Sequence, residues 1–85
     1  MKRIGVIGII VKRNRETALE VQKLLSDYGN IIMGRMGVPG ENGISAISVI
    51  VKGTNEEISA LTGKLGRLDK VSVKSALISA EIEEV

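Results

Sequence analysis

The chain contains no cysteine and no histidine. Disulfides, redox dithiols and the usual Cys/His zinc sites are therefore excluded. So is every Ser–His or Cys–His pair of nucleophilic catalysis. Tryptophan and phenylalanine are also missing, and Tyr28 is the only aromatic residue. That removes the strand aromatics on which RNA-binding sheets stack bases. The longest apolar run, Ile4 to Val11, is far short of the roughly 20 residues that span a bilayer. No small-residue cleavage site separates it from Lys12-Arg13, so no signal peptide is expected and the protein is read as soluble and cytoplasmic.

What is abundant is aliphatic: 44% of the 85 residues are hydrophobic, with almost none of that aromatic. This length makes one domain, and a domain so short buries only about 60% of the surface its unfolded chain exposes. Without staples, small Ile/Val-rich domains commonly gain further burial by oligomerising. The charge balance is mildly basic, +2 overall, whereas a nucleic-acid module carries a stronger, clustered excess. Lys2-Arg3 and Lys12-Arg13-Asn14-Arg15 are read as solvated strand ends. No direct nucleic-acid or membrane contact is expected.

The first element is the β-branched run Ile4-Gly5-Val6-Ile7-Gly8-Ile9-Ile10-Val11, a buried central strand whose two glycines leave room for close packing. The period then changes. Ala18, Val21, Leu25 and Tyr28, with Leu24 beside them, form one helical stripe, with Asn14 as N-cap and Gly29 at the position of a left-handed C-cap. Asn30 to Met36 reads as a second strand, and Gly37 to Gly43, with the only proline, as a turn. Ile44 to Lys52 is a third strand, ended by Gly53. Thr54-Asn55-Glu56-Glu57 fits a capping box before the stripe Ile58, Leu61, Leu65 and Leu68. Gly63 and Gly66 weaken that helix, whose second half is expected to be irregular. Lys70 to Ile78 is a fourth strand, and residues 81–85 form an acidic tail after a single domain over residues 1–80.

An internal repeat supports a topology. Ile9-Ile10-Val11-Lys12 matches Val49-Ile50-Val51-Lys52 at a shift of 40, which also carries Ala18 to Ile58, Val21 to Leu61, Leu25 to Leu65 and Met33 to Val73. Two copies of a βαβ unit sharing one sheet give an α+β, ferredoxin-like βαββαβ fold, a four-stranded antiparallel sheet with two helices on one face. The first strand is apolar on both sides, so its second face needs a partner or becomes an exposed patch. A homo-oligomer, dimer or tetramer, is the expectation.

The fold hosts many functions, so the residues must decide. Metal carriers of this shape use CxxC, absent here. Acylphosphatase-like enzymes cradle phosphate in a glycine-containing loop after strand one, where this chain has Lys12-Arg13-Asn14-Arg15. Glu16, Glu20, Glu56 and Glu57 lie near helix starts, where carboxylates compensate the helix dipole. No catalytic residue, metal ligand or cofactor is assigned. The candidate ligand-binding set is Arg35, Gly37, Pro39, Gly40, Glu41 and Asn42, because an Arg beside glycines can hold a carboxylate or phosphate in bidentate fashion. Arg35 can equally pair with an acidic residue of a neighbouring subunit or end its strand in water.

The segments Ile4–Val11, Gly34-Arg35-Met36-Gly37-Val38-Pro39, Gly43-Ile44-Ser45, Leu61-Thr62-Gly63-Lys64-Leu65-Gly66-Arg67-Leu68 and Val71–Leu77 resemble the iron-only hydrogenase system regulator family. Its members are small ACT-like proteins similar to the C-terminal domain of NikR-type regulators. The resemblance implies an ACT-like fold, an oligomer and a regulatory role in the [FeFe] hydrogenase system. Nickel-responsive relatives coordinate metal through His and Cys, so nickel sensing does not carry over. These 85 residues hold no DNA-binding domain, so any transcriptional role is expected to run through a partner. Gly40 also stands where the family's turn carries Tyr. Three readings remain: a ligand-sensing regulatory module, a structural or adaptor protein docking on a maturation factor, and an enzyme, the last poorly supplied with residues.

Overall fold

A computed structural model describes residues 2–12 and 15–78. The elements run β1 (Arg3–Val11), α1 (Arg15–Asp27), β2 (Ile32–Pro39), a 3-10 turn (Glu41–Gly43), β3 (Ser45–Gly53), α2 (Asn55–Gly66) and β4 (Val71–Leu77). The strands form one sheet in the order β2-β3-β1-β4, every neighbouring pair antiparallel. This is the duplicated βαβ arrangement expected from the repeat.

Period-two alternation sorts the strands into two faces. Ile7, Ile9 and Val11 of β1 are buried with Val49 and Val51 of β3, against Val21 and Leu25 of α1 and Ile58, Leu61 and Leu65 of α2. Leu24, Tyr28, Leu68, Val71 and Val73 pack around this core as partly buried residues. Lys64 Nζ lies 5.1 Å from the centroid of the Tyr28 ring, a cation–π arrangement that joins the two helices. Tyr28 thus serves the core and its rim.

α2 starts where the sequence placed it. The Glu57 amide donates to Thr54 Oγ1 over 3.1 Å, and the Thr54 amide donates to Glu57 Oε1 over 2.9 Å. Two orphan amides are satisfied reciprocally. The helix then continues to Gly66 without a break, so the expected irregularity is corrected: Gly63 and Gly66 are exposed, and the buried stripe on the opposite side sustains the helix.

Four further expectations change. Ala18 is exposed, and Thr17 takes the buried place one residue earlier. The α1 stripe therefore runs 17, 21, 25, because one alanine methyl adds too little apolar area to set the helix's rotation. Gly29 is not left-handed; the positive φ angles among the described residues belong to Asn42, Gly43 and Lys70. β2 extends to Pro39 rather than ending at Met36. Being an edge strand, it tolerates a residue without an amide hydrogen. Finally, the register shifts between Ile32 and Gly34, and Met33 lies exposed at that bulge instead of matching Val73. The proposed N-cap Asn14 and the acidic tail lie outside the described residues.

Candidate functional site

The β2–β3 connection is tighter than its composition suggested. Pro39 pairs with Ser45, leaving Gly40 to Ile44 as the loop. A Cβ on Gly40 would collide with the carbonyl oxygen of Ile44, so close backbone approach demands glycine there. Asn42 and Gly43 then turn the chain with φ of 60° and 78°.

Arg35, Gly37 and Pro39 stand opposite Val49, Ile47 and Ser45, so they share the helix-side face of the sheet. Arg35 lies four strand residues from Pro39, about 13 Å along the chain. Its Nη2 turns towards α1 and donates to Gln22 Oε1 over 2.8 Å. Arg35 also lines a hollow of about 270 Å³ with Ser26, Gly29, Met33 and Gly34. The guanidinium is therefore associated with the end of α1, while Gly40, Glu41 and Asn42 belong to the turn at the far end of the strand. A second hollow of about 410 Å³ lies between the helices, rimmed by charges of both signs, Glu20 and Asp27 against Lys23, Lys64 and Arg67. Among the described residues no group of acidic side chains is placed to hold a metal ion. At the start of α2 the Thr54 amide, then the Thr54 hydroxyl, hold the Glu57 carboxyl below the usual carboxylate range, with Lys2 adding to the effect.

The most distinctive surface is the outer face of the sheet, which no helix among the described residues covers. Cross-strand register arranges it in three rows. The first is Gly34, Ile50, Val6 and Ala76; the second Met36, Ser48, Gly8 and Lys74; the third Val38, Ala46, Ile10 and Ser72. Val6, Ile10 and Ile50 remain 45, 39 and 44% exposed, and Met36 and Val38 67 and 55%. Lys74 is the one charge in these three rows. Between Met36 and Lys74 lies a depression of about 380 Å³, floored by Gly8, Ser48 and Ala46. The sequence showed β1 to be apolar on both sides, but the rows and the hollow need the strand register and were not legible in it.

An antiparallel four-stranded βαββαβ sheet with a bare apolar face defines a small domain of the ACT-like class. The ACT domain of GTP pyrophosphokinase from Chlorobium tepidum superposes with TM-score 0.76 at 15% identity, over 89% of this chain and 100% of that one. The C-terminal domain of the MgtC protein from Mycobacterium tuberculosis does so at 0.71 and 12%, over 95% and 94%. These two show the fold alone. Residues 3–75 match the model of the TM1266-like family, which carries the provisional description of iron-only hydrogenase system regulator; the chain belongs to that family. The uncharacterized protein TM1266 from Thermotoga maritima superposes with TM-score 0.90 at 31% identity, over 93% of this chain and 100% of that one. No curated protein matches the chain.

Proposed function

We propose that this protein is a regulatory binding module of the iron-only hydrogenase system, acting without chemistry of its own, by docking through its outer sheet face. Family membership supports the system and the regulatory role. The observation that carries the mode of action is the outer face: five aliphatic or thioether side chains left substantially exposed around a hollow, with one charge among three rows. A contiguous patch of this kind marks an interaction surface. The chain has no His or Cys for nucleophilic or metal chemistry, which supports binding over turnover. The test uses Ile10→Lys in the native host, with circular dichroism of the purified variant to show that it folds. It is expected to lose its effect on hydrogenase output, whereas Leu19→Lys, on an exposed helix position, keeps it. Equal behaviour of the two variants would refute the docking face.

A second reading has its own observation. Arg35 lines the hollow at the end of α1, which favours a small anionic effector held by its guanidinium. Thermal shifts with amino acids, nucleotides and inorganic anions test it. A ligand at about 100 times its dissociation constant adds about 2.7 kcal/mol, and a screen without any shift would count against an effector.

A further inference from the structure

The outer face holds a recess that the chain leaves unfilled, and its polarity changes from one side of that recess to the other. The recess is centred on Gly8. On the opposite face of β1, a Cβ at Gly5 would run into the Leu77 side chain, so that space is filled from within. At Gly8 a Cβ would meet only the Lys74 carbonyl oxygen, at an ordinary 3.8 Å, and the backbone has no positive φ there. Glycine inside a strand sacrifices stability relative to alanine, and at Gly8 neither conformation nor internal packing requires it. Ser48 and Ala46 on β3 are small as well, so the depression of about 380 Å³ stays open.

Its two sides differ in chemistry. Met36 and Val38 of β2 close one side with apolar groups, 67 and 55% exposed. On the other side stand Ser72 and Lys74, which alternate with Val73 on the edge strand β4 and so share a face. None of the other positions in the three rows is acidic, so Lys74 has no counter-ion among them. A mostly apolar hollow of this size with a few convergent polar groups has the form of a small-molecule site. A flat protein surface resting on the exposed side chains would bridge the recess and leave a void beneath it.

We infer that the depression binds a small amphipathic carboxylate, an unbranched monocarboxylic acid of medium chain length. Its tail lies over Gly8 and Ser48 towards Met36, and its carboxylate sits at Lys74 and Ser72. β2 and β4 are three strand spacings apart, about 14 Å, and the Lys74 side chain spans part of that, which leaves room for an extended chain of roughly six to ten carbons. Burial of the tail supplies the affinity. The ammonium selects an anionic head group, and at the sheet edge neither charge has to be stripped of water. The site shares the face assigned to docking but does not depend on that reading, because binding is measured on the purified chain alone.

Octanoate, kept below its micellar concentration, is titrated into the isotope-labelled chain, and amide shifts are followed by NMR. Acetate and octanol are the probes that lack the tail and the charge. Shifts are expected to concentrate at Gly8, Ser48, Ser72 and Lys74, with a dissociation constant on the order of 0.1–1 mM for so small a ligand. Acetate and octanol should each bind about tenfold more weakly or worse. Lys74→Gln should reduce octanoate to the level of octanol, and Lys74→Arg should retain it. Gly8→Leu, which fills the recess, should weaken octanoate about tenfold or more. Leu19→Lys, which adds a cation on α1 instead, should change nothing. Melting curves show that each variant folds, and the exposed Lys74 variants keep the test decisive if Gly8→Leu does not. Equal binding of octanoate and octanol, or Lys74→Gln without effect, would reveal an unselective apolar surface and overturn the inference. Shifts centred on the Arg35 hollow, or a folded Gly8→Leu that binds as wild type does, would overturn it too. If octanoate binds as expected while Ile10→Lys and Leu19→Lys behave alike in the host, the docking face fails and the ligand site stands. The converse pattern removes the ligand site and leaves the docking face.

Discussion

Arg35 and Gln22 join the edge strand β2 to α1 through one hydrogen bond, from the guanidinium Nη2 to Oε1 over 2.8 Å. The pair is exposed, so its contribution to stability is small, at most about 1 kcal/mol. Gln22 takes one N–H of the guanidinium and leaves its other donors open to an anion in the adjoining hollow. On the effector reading, Gln22→Ala is expected to leave the thermal shift caused by inorganic phosphate largely unchanged, and Arg35→Ala to abolish it. Identical phosphate responses in wild type and both variants would remove Arg35 from the candidate site.

The reciprocal bonds between Thr54 and Glu57 make the start of α2 a defined point of stability. Thr54→Ala leaves the Glu57 amide without its acceptor and is expected to cost about 1 kcal/mol in urea denaturation. Thr54→Ser keeps the acceptor and should cost much less. Equal losses from the two substitutions would mean that the hydroxyl bond is not what matters.

The same cap sets a pH dependence. The folded protein holds the Glu57 carboxyl below the usual range, through the Thr54 amide first. A depressed folded value means that the stabilisation is present above the unfolded value, about 4.3, and is lost as pH falls through the folded one. The melting temperature of wild type should therefore exceed that of Glu57→Gln at neutral pH, and the gap should close on acidification below about pH 4. A gap that stays constant through the acid range would contradict this assignment.

Gly40 and Gly8 offer a contrast. At Gly40 an added Cβ collides with the backbone of Ile44, and only the chain itself could give way. Gly40→Ala is expected to destabilise by more than about 1 kcal/mol. At Gly8 the Cβ has room, and Gly8→Ala should be neutral or stabilising by up to about 1 kcal/mol. Chemical denaturation of both variants checks the pair, and the reverse order would invalidate the account of both glycines.

Leu61 is fully buried, whereas Leu19 is 64% exposed. Leu61→Ala should cost about 2–5 kcal/mol, a large share of what so small a domain has. Leu19→Ala should change stability by no more than about 0.5 kcal/mol.

Much of the fold was legible because it is local. The β-branched runs of β1 and β3, the capping box at Thr54 and the stripe Ile58, Leu61 and Leu65 each follow from short-range periodicity and hydrogen-bonding chemistry. The 40-residue repeat converted those elements into a topology. The errors fell where neighbours in space decide. Pro39 is a strand residue because β2 is an edge, and Met33 is exposed because a bulge absorbs one residue. Thr17 replaces Ala18 in the core because Val21 and Leu25 set the rotation of α1. In the candidate site, Arg35 could be singled out by its type, but its bond to Gln22 lies between elements and has no signature in the order of residues.

The amino-acid order alone determined that this protein is a cysteine- and histidine-free βαββαβ domain with an aliphatic core and a first strand apolar on both sides, since composition and periodicity act within one segment at a time. Only the tertiary structure decided that Met36, Ser48, Gly8 and Lys74 stand in one row, that Gly5 is filled while Gly8 is open, and that Arg35 turns to α1 rather than to the turn at residues 40–44. Strand order and register bring together residues tens of positions apart, and no local pattern encodes which of them will share a face.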